Sequence, residues 1–420
     1  MNKESVSGSY SSYALALLLG VNLLNYIDRQ VIYAVFPLIK DDLHISDTKL
    51  GFLGSAFMIC YMVSAPLLGW TGDRMSRVKL ASYGLAFWSL ATAGAGLAIG
   101  YRSLLVARSV VGVGEASFGT VAPGLLADYF PKAQHGRVLS YLYLAIPVGS
   151  ALGYLLGGSI GHTMGWHAAF FIVGVPGLLL IVPLHFLRES RRIGTEGTII
   201  KHSMQPQRGY TALFSRSFLT NTMAMAAMTF ALGGLAQWVP TFLYRVHHLD
   251  VARGNAIFGG VTVLAGISGT LAGGWLGDRF QEKSKKGYLM VSGWGFFIGT
   301  PITIYALITS SLSGCMTAVF FAEFFLFLNT GPLNTVIVTI TKPTIRAMAF
   351  AVNIFFIHAL GDAVSPTILG WLSDLWGLRR ALLVTPVAIV AAAFLCFLCM
   401  RFIEKDTERD EDITVNRPVK

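Results

Sequence analysis

The chain has 420 residues, 54% of them hydrophobic and 13% charged, where a soluble domain carries about 25% charged residues. Together with a mean hydropathy of +0.60, this excludes an ordinary soluble globular protein. The net charge of +10 admits nucleic acid as a partner only until the positions of the basic residues are considered.

A helix crossing a bilayer needs about 20 apolar residues. In chain order, apolar runs predict spans near 13–39, 50–72, 79–99, 103–130, 137–162, 167–187, 217–244, 253–277, 288–309, 313–340, 347–372 and 381–402. With the N-terminus inside, the cytoplasmic loops hold 17 Lys and Arg residues, running from Arg74 to Arg346. The opposite loops hold 7: Lys40, Lys49, Arg102, Arg245, Arg253, Arg379 and Arg380. The imbalance places both termini in the cytoplasm and reads the basic charge as topology, so nucleic acid drops out. The first twelve residues are polar, and Asn25, Asp28 and Arg29 interrupt the run after them, so no cleavable signal peptide is expected.

Residues 190–210 form the one long break. Its Gly194, Gly197, Pro206 and Gly209 among Arg191, Arg192, Lys201 and Arg208 mark a cytoplasmic linker. The expected organisation is a six-helix bundle over 1–189, that linker, and a second six-helix bundle with a short tail over 211–420. Internal repetition supports it. Gly69-Trp70-Thr71-Gly72-Asp73-Arg74 recurs 205 residues later as Gly274-Trp275-Leu276-Gly277-Asp278-Arg279. Glu115 has its counterpart in Glu323, 208 residues on, and Gly158…Gly165 in Gly370…Gly377. The fold expected is an all-α membrane protein of 12 transmembrane helices in two pseudo-symmetric halves. Such duplicated halves place a substrate site between bodies that rock against each other.

Gly69-x-x-x-Asp73-Arg74-x-x-Arg77 resembles the signature of the major facilitator superfamily between spans 2 and 3. The resemblance implies two six-helix bundles around a central cavity, with the signature's acidic and basic residues latching the cytoplasmic side. Four further motifs resemble the Spinster family: Asn25-Tyr26-Ile27-Asp28-Arg29 on span 1, Gly112-Val113-Gly114-Glu115-Ala116 on span 4, Ala322-Glu323-Phe324 followed by Asn329 on span 10, and His358-Ala359-Leu360-Gly361-Asp362-Ala363-x-Ser365-Pro366 on span 11. That family implies carriers of lysolipids and sphingosine phosphates.

An ionisable group at bilayer depth costs at least about 2.5–3.5 kcal/mol, so each one invites a role with a named partner. The family resemblance implies that Asp28 exchanges a proton and that Arg29 meets an anionic head group. Adjacent helical residues point about 100° apart, so the two need not face the same way, and a mutually neutralising pair is the alternative. Glu115 lies seven residues after Arg108, two turns along one face. A carboxylate there holds either a proton or an arginine, which suits coupling; a structural partner of Arg108 or Arg29 is the other reading. In the second half, Glu323 and His358 complete the proton-coupling set, and His358 and Asp362 are four apart on one face. Substrate contacts are expected from Arg29, Arg108, Glu115, Glu323, Asn329 and His358. Gating is expected from Asp73, Arg74, Arg77, Arg137, Asp278, Arg279 and Asp362, because loop solubility alone does not explain two matching cassettes.

Other features read as packing. Gly149-x-x-x-Gly153-Tyr154-x-x-Gly157-Gly158 resembles an antiporter motif with Tyr154 in place of proline, but glycines at this spacing mostly let helices approach. Cys396 and Cys399 form a CxxC on an apolar helix without a histidine partner. The run Gly112…Gly119 follows no strand, so it is not a dinucleotide loop. Met223, Met225 and Met228 with Phe320, Phe321, Phe324, Phe325 and Phe327 could line a lipid-tail wall or simply pack.

No nucleophile–base set, metal cluster or phosphate loop is present, so an enzyme is not expected, and neither is a cofactor beyond a proton gradient. The expectation is a proton-coupled, multi-pass carrier of amphipathic anionic lipids in the cell membrane (the inner membrane if bacterial), monomeric and working by alternating access. The alternative cargo is a small organic anion, a sugar acid or a drug.

Overall fold

The computed structural model describes residues 8–131, 134–189, 215–341, 345–404 and 406. The expected linker at 190–210 lies outside the described residues. Among the described residues every regular element is helical. In chain order they are α1 (Gly8–Ala34), α2 (Phe36–Leu43), α3 (Asp47–Arg74), α4 (Arg77–Ala95), α5 (Tyr101–Asp128), α6 (His135–Met164) and α7 (Trp166–His185). There follow α8 (Arg216–His247), α9 (Val251–Gln281), α10 (Gly287–Ile308), α11 (Leu312–Phe327), α12 (Pro332–Ile340) and α13 (Arg346–Ile357). A π turn (His358–Asp362), α14 (Ser365–Trp376), α15 (Leu378–Leu382) and α16 (Thr385–Cys399) close the chain.

Eleven helical stretches among the described residues are long and apolar enough to cross a membrane. The sequence-predicted span at 79–99 corresponds to α4, nineteen residues long, which begins on Arg77 and Lys79 and buries Ser82, Ser89 and Thr92. Those polar residues keep α4 outside the eleven, although it packs against α5 and α7 like its neighbours. Large apolar side chains such as Leu67, Leu179, Leu264, Leu271 and Phe394 are exposed, as expected where the solvent is lipid.

Several spans are broken where one continuous helix was expected, and local chemistry explains the breaks. Span 1 stops at Ala34 and restarts as α2, with Pro37 in its first turn. Span 10 divides at Asn329, and Pro332 opens α12. Span 11 divides at the π turn, where Gly361 adopts φ −101°, ψ −107°, and Pro366 opens α14. Serine caps start three helices cleanly: Ser46, Ser76 and Ser311 accept the backbone N–H groups of Lys49, Lys79 and Gly314.

The chain divides into two compact units, Met1–Lys201 with Val239–Gly260, and His202–Trp238 with Val261–Lys420. In the first, α1 packs on α6 and α7, α3 on α5, and α4 on α5 and α7. Glycines set these approaches. A Cβ on Gly114 would lie 2.7 Å from the Trp88 Cβ, and one on Gly153 2.8 Å from the Ile27 carbonyl oxygen. In the second, α10 packs on α11, α12 and α16 around Leu289, Phe296, Leu326, Ile337 and Ile389. Cys396 and Cys399 are part of this core, and the Cys399 thiol donates to the Ser217 carbonyl. Met225 is buried there too. The repeat shows in the backbone as well as in the sequence. Gly165 ends α6 at φ +84° and Gly377 ends α14 at φ +81°, the only glycines with positive φ among the described residues.

Candidate coupling and substrate site

The charged centre of the first unit is built on α1, α3, α4 and α5. Asp28 and Arg29, adjacent on α1, diverge as helical geometry requires. Arg29 reaches α5, where its Nη2 and Nε donate to Glu115 Oε2 at 2.9 and 3.2 Å. Glu115 is fully buried, and the Arg29 side chain is only 16% exposed. Asp28 turns to α4 instead, and its Oδ2 accepts from the Thr92 hydroxyl at 3.3 Å. Asp28 is therefore not the ion-pair partner of its neighbour. Glu115 takes its arginine from span 1 rather than from Arg108 on its own helix.

Aromatic rings enclose the pair. The Arg29 guanidinium carbon lies 5.0 Å from the centroids of Tyr26 and Phe57 and 5.3 Å from that of Tyr61. Phe57 also carries Arg108, at 4.9 Å, so one ring stands against two cations. Arg108 is fully buried, and none of its three guanidinium nitrogens has a hydrogen-bond partner among the described residues. Such a group is expensive to leave in an apolar interior unless charge or a hydrogen-bonding guest compensates it. Gly112 is what makes the packing possible, since its missing Cβ leaves room for the Phe57 backbone.

In the second unit, Glu323 Oε1 accepts from Thr262 on α9 at 3.0 Å, and its Oε2 has no partner among the described residues. His358 Nδ1 lies 2.9 Å from Asp362 Oδ1 across the π turn. π turns inside helices frequently mark functional positions. Asn329 is buried in the α11–α12 break, where its amide donates to the Leu326 carbonyl and its own carbonyl accepts from Leu333 N–H. Its position reads first as a helix-break cap.

The cassettes lie at helix ends. Arg77 Nη1 donates to Asp128 Oδ2 at 3.1 Å, and its backbone N–H donates to Glu189 at 2.8 Å. Arg74 stacks on Trp70, one turn earlier, at 3.8 Å. In the second cassette, Arg279 stands over Trp275 at 5.8 Å, and Asp278 accepts from the Tyr288 hydroxyl at 2.8 Å. Arg137 donates to the Tyr141 hydroxyl on its own helix. The Asp73 side chain lies outside the described residues.

The ring cage of Tyr26, Phe57 and Tyr61 and the hydroxyl partners Thr92 and Thr262 were not anticipated from the sequence. Tyr26 was in view within the span 1 motif. Phe57 and Tyr61, four apart on α3, carried a helical-face signal that an apolar span conceals.

This geometry has known relatives. The chain matches the Major Facilitator Superfamily over residues 18–366, so it is a multi-pass membrane transporter and not an enzyme. It is 32% identical to Protein spinster homolog 1 of Xenopus tropicalis, over 97% of this chain and 84% of that protein. Against the Homo sapiens Protein spinster homolog 1 the identity is 33%, over 88% of this chain and 74% of that one. The chain belongs to the Spinster family. A solved structure of a bacterial homolog to the human lysosomal transporter Spinster, inward-facing and unoccupied, superposes with a TM-score of 0.88 at 24% identity, covering 96% of this chain and 99% of that one. A D-xylose-proton symporter shares the fold more distantly, with a TM-score of 0.74 at 18% identity over 92% of this chain and 96% of that one.

Proposed function

We propose that the protein is a proton-coupled carrier of amphipathic anionic lipids, of the lysophospholipid or sphingosine-phosphate kind. It works by alternating access in a cell membrane, with both termini cytoplasmic and residues 190–210 joining its two homologous halves. The observation that carries this reading is the buried Arg29–Glu115 pair inside the ring of Tyr26, Phe57 and Tyr61.

The chemistry follows from competition for one guanidinium. When Glu115 takes up a proton, its claim on Arg29 weakens, and Arg29 becomes available to a phosphate head group, which it can grip through two parallel N–H donors. Tyr26 and Tyr61 add hydroxyls beside it, and the ring faces suit the cation in either state. Asp28, which accepts from the Thr92 hydroxyl, is a second proton acceptor one residue away. Glu323 and His358 serve the same purpose in the other half, and Asp362, whose carboxylate lies 2.9 Å from His358 Nδ1 at the span 11 break, belongs to the gate. Arg108 contributes positive potential behind Phe57. The cassette residues Asp73, Arg74, Arg77, Asp278 and Arg279, with Arg137, act as the cytoplasmic gate.

The test is transport in proteoliposomes under an imposed pH gradient. Asp28→Asn and Glu115→Gln should each abolish pH-driven movement of a labelled lysolipid. Full coupling in both variants would overturn the proposal. A long-chain lysolipid should also block transport of any shorter anion, whereas indifference to it would return the cargo to small polar anions or sugar acids.

A further inference from the structure

Beyond α16 the chain folds back over the start of α8, within the second compact unit. Ile403 anchors this return in the core, where it is 2% exposed. Asp406 Oδ2 accepts from the Ser217 N–H at 3.0 Å, in the first turn of α8, where helical N–H groups lack partners of their own. The Phe402 ring centroid lies 5.5 Å from the Arg216 guanidinium carbon. Glu404 reaches a different place, the corner between α9 and α10, where its Oε2 lies 3.1 Å from Lys286 Nζ. Residues 402–406 thus join the start of α8 to that corner.

The corner is closed by its own hydrogen bonds. Gln281 Oε1 accepts from the Tyr288 N–H at 3.2 Å, and the Gln281 amide donates to the Lys285 carbonyl at 3.3 Å. Gly287 has no Cβ, which lets its backbone pass close to that of Phe280 and Gln281. The Tyr288 hydroxyl bond to Asp278 ties the corner to the second cassette. This closed turn presents Lys283, Lys285 and Lys286, three lysines in four residues. Lys283 and Lys285 are exposed, and neither they nor the exposed Glu282 beside them has an ion-pair partner among the described residues. Like charges held together in this way favour a concentrated counter-charge.

Two residues beyond Asp406 the sequence reads Glu408-Arg409-Asp410-Glu411-Asp412, four acids to one arginine. These five lie outside the described residues. Their reach is bounded by the chain, since about 3.3–3.6 Å per residue puts Asp412 within about 20 Å of Asp406. Lys286 already holds Glu404, and Lys283 and Lys285 are three residues and one residue from it. We infer that residues 408–412 dock on the Lys283, Lys285 and Lys286 corner and complete an electrostatic strap across the start of α8. The strap carries the Glu404–Lys286 contact onward and keeps Asp406 on the Ser217 N–H. Covalent attachment gives the acidic segment a high effective concentration at the corner, an advantage that a free anion lacks. The strap thereby fastens the start of α8 to the turn that follows the second cassette. It needs neither cargo nor proton coupling, so it can fail while the carrier reading stands.

The test is amide hydrogen exchange at the first turn of α8, read on purified full-length protein in phosphatidylcholine nanodiscs at low salt. Local opening sets this rate. Lys283→Glu with Lys285→Glu should speed it about fivefold, because several exposed ion pairs, each weak alone, are lost together. Reversing the segment as well, with Glu408→Lys, Asp410→Lys, Glu411→Lys and Asp412→Lys, should return the rate to within twofold of the parent. A change of less than twofold in the lysine variant would overturn the docking, as would a fast rate that the reversed segment does not rescue. Should the reversed corner not fold, Lys283→Gln with Lys285→Gln is read by the same twofold criterion. The comparison is repeated with about a third of the lipid replaced by phosphatidylglycerol. An effect of the lysines seen only there would assign them to anionic head groups and overturn the strap.

Discussion

Glu115 and Glu323 occupy equivalent places in the two repeats, 208 residues apart, and the repeats have treated them differently. Glu115 holds an arginine inside a cage of rings, whereas among the described residues Glu323 holds only the Thr262 hydroxyl. The reason is visible in the residues around them. At 205 residues after Asp28 and Arg29 stand Gly233 and Gly234, and 208 residues after Arg108 stands Met316. Duplication supplied two carboxylates, but the cations that answer one of them stand only in the first half. A repeat therefore transmits position more faithfully than it transmits electrostatics, and the two glutamates have to be tested as different devices.

The largest expected effect breaks the first of them. Glu115→Gln leaves Arg29 partly buried and without its counter-ion, a loss of about 3–5 kcal/mol for a buried pair. The thermal midpoint should fall by several degrees. Combining it with Arg29→Gln, which neutralises both partners, should recover part of the loss. A double variant no more stable than Glu115→Gln would mean that Arg29 is held chiefly by its rings.

Next come the glycines, where the repeats have solved one packing problem from opposite sides. On the first-unit helix α5, Gly112 and Gly114 make room for α3 and α4, while 208 residues on α11 has Phe320 and Ala322. In the second unit the gap is made on the partner helix, where a Cβ on Gly269 would lie 2.5 Å from the Phe324 carbonyl oxygen. Gly114→Ala and Gly269→Ala should each cost about 1–3 kcal/mol through overpacking, read as a lower thermal midpoint. A neutral Gly269→Ala beside a costly Gly114→Ala would show that the second unit yields more easily.

Glu323→Gln should cost about 1 kcal/mol or less in stability, because the amide oxygen can still accept from Thr262 and no cation is stranded. Its effect should appear in pH-driven transport instead. A stability loss matching that of Glu115→Gln would dissolve the contrast between the repeats and point to a counter-ion that Thr262 does not represent.

Much of this architecture was legible before coordinates. Hydrocarbon forces long apolar helices, so the spans announce themselves, and the cassette repeat exposed the duplication. Gly165 and Gly377 were paired by spacing alone, and the backbone gives both the same left-handed turn. The helix breaks were harder, because Pro37, Pro332 and Pro366 are tolerated within spans and only tertiary packing decides which prolines divide a helix. The charged centre was half legible. Spacing along α5 suggested Arg108 for Glu115, since a periodicity argument sees only neighbours on one helix. Arg29 lies 86 residues away and wins because α1 and α5 converge on Phe57. The ion pairs of Asp47 with Arg245 and Lys40 gave no signal, because Lys40 and Arg245 look like ordinary loop charge until the chain is folded.

The smallest effect sharpens the comparison at the surface. Both cassettes place Trp one turn before Arg, but Arg74 lies 3.8 Å from the Trp70 ring and Arg279 lies 5.8 Å from Trp275. Cation–π attraction falls with that separation, and at an exposed site the close pair contributes about 0.5–1 kcal/mol. Trp70→Ala should therefore lower the thermal midpoint by about a degree or two, and Trp275→Ala by less, since a small free-energy change shifts a large domain only slightly. Both tryptophans are more than half exposed, so lost burial contributes little to either. Asp278 is tied to Tyr288 and Arg77 to Asp128, which leaves each cassette a polar anchor once its ring is removed. Equal effects from the two substitutions would mean that the rings act through contact with lipid rather than with their arginines, and the paired Trp70→Phe and Trp275→Phe variants, which keep an aromatic face, would then behave like wild type.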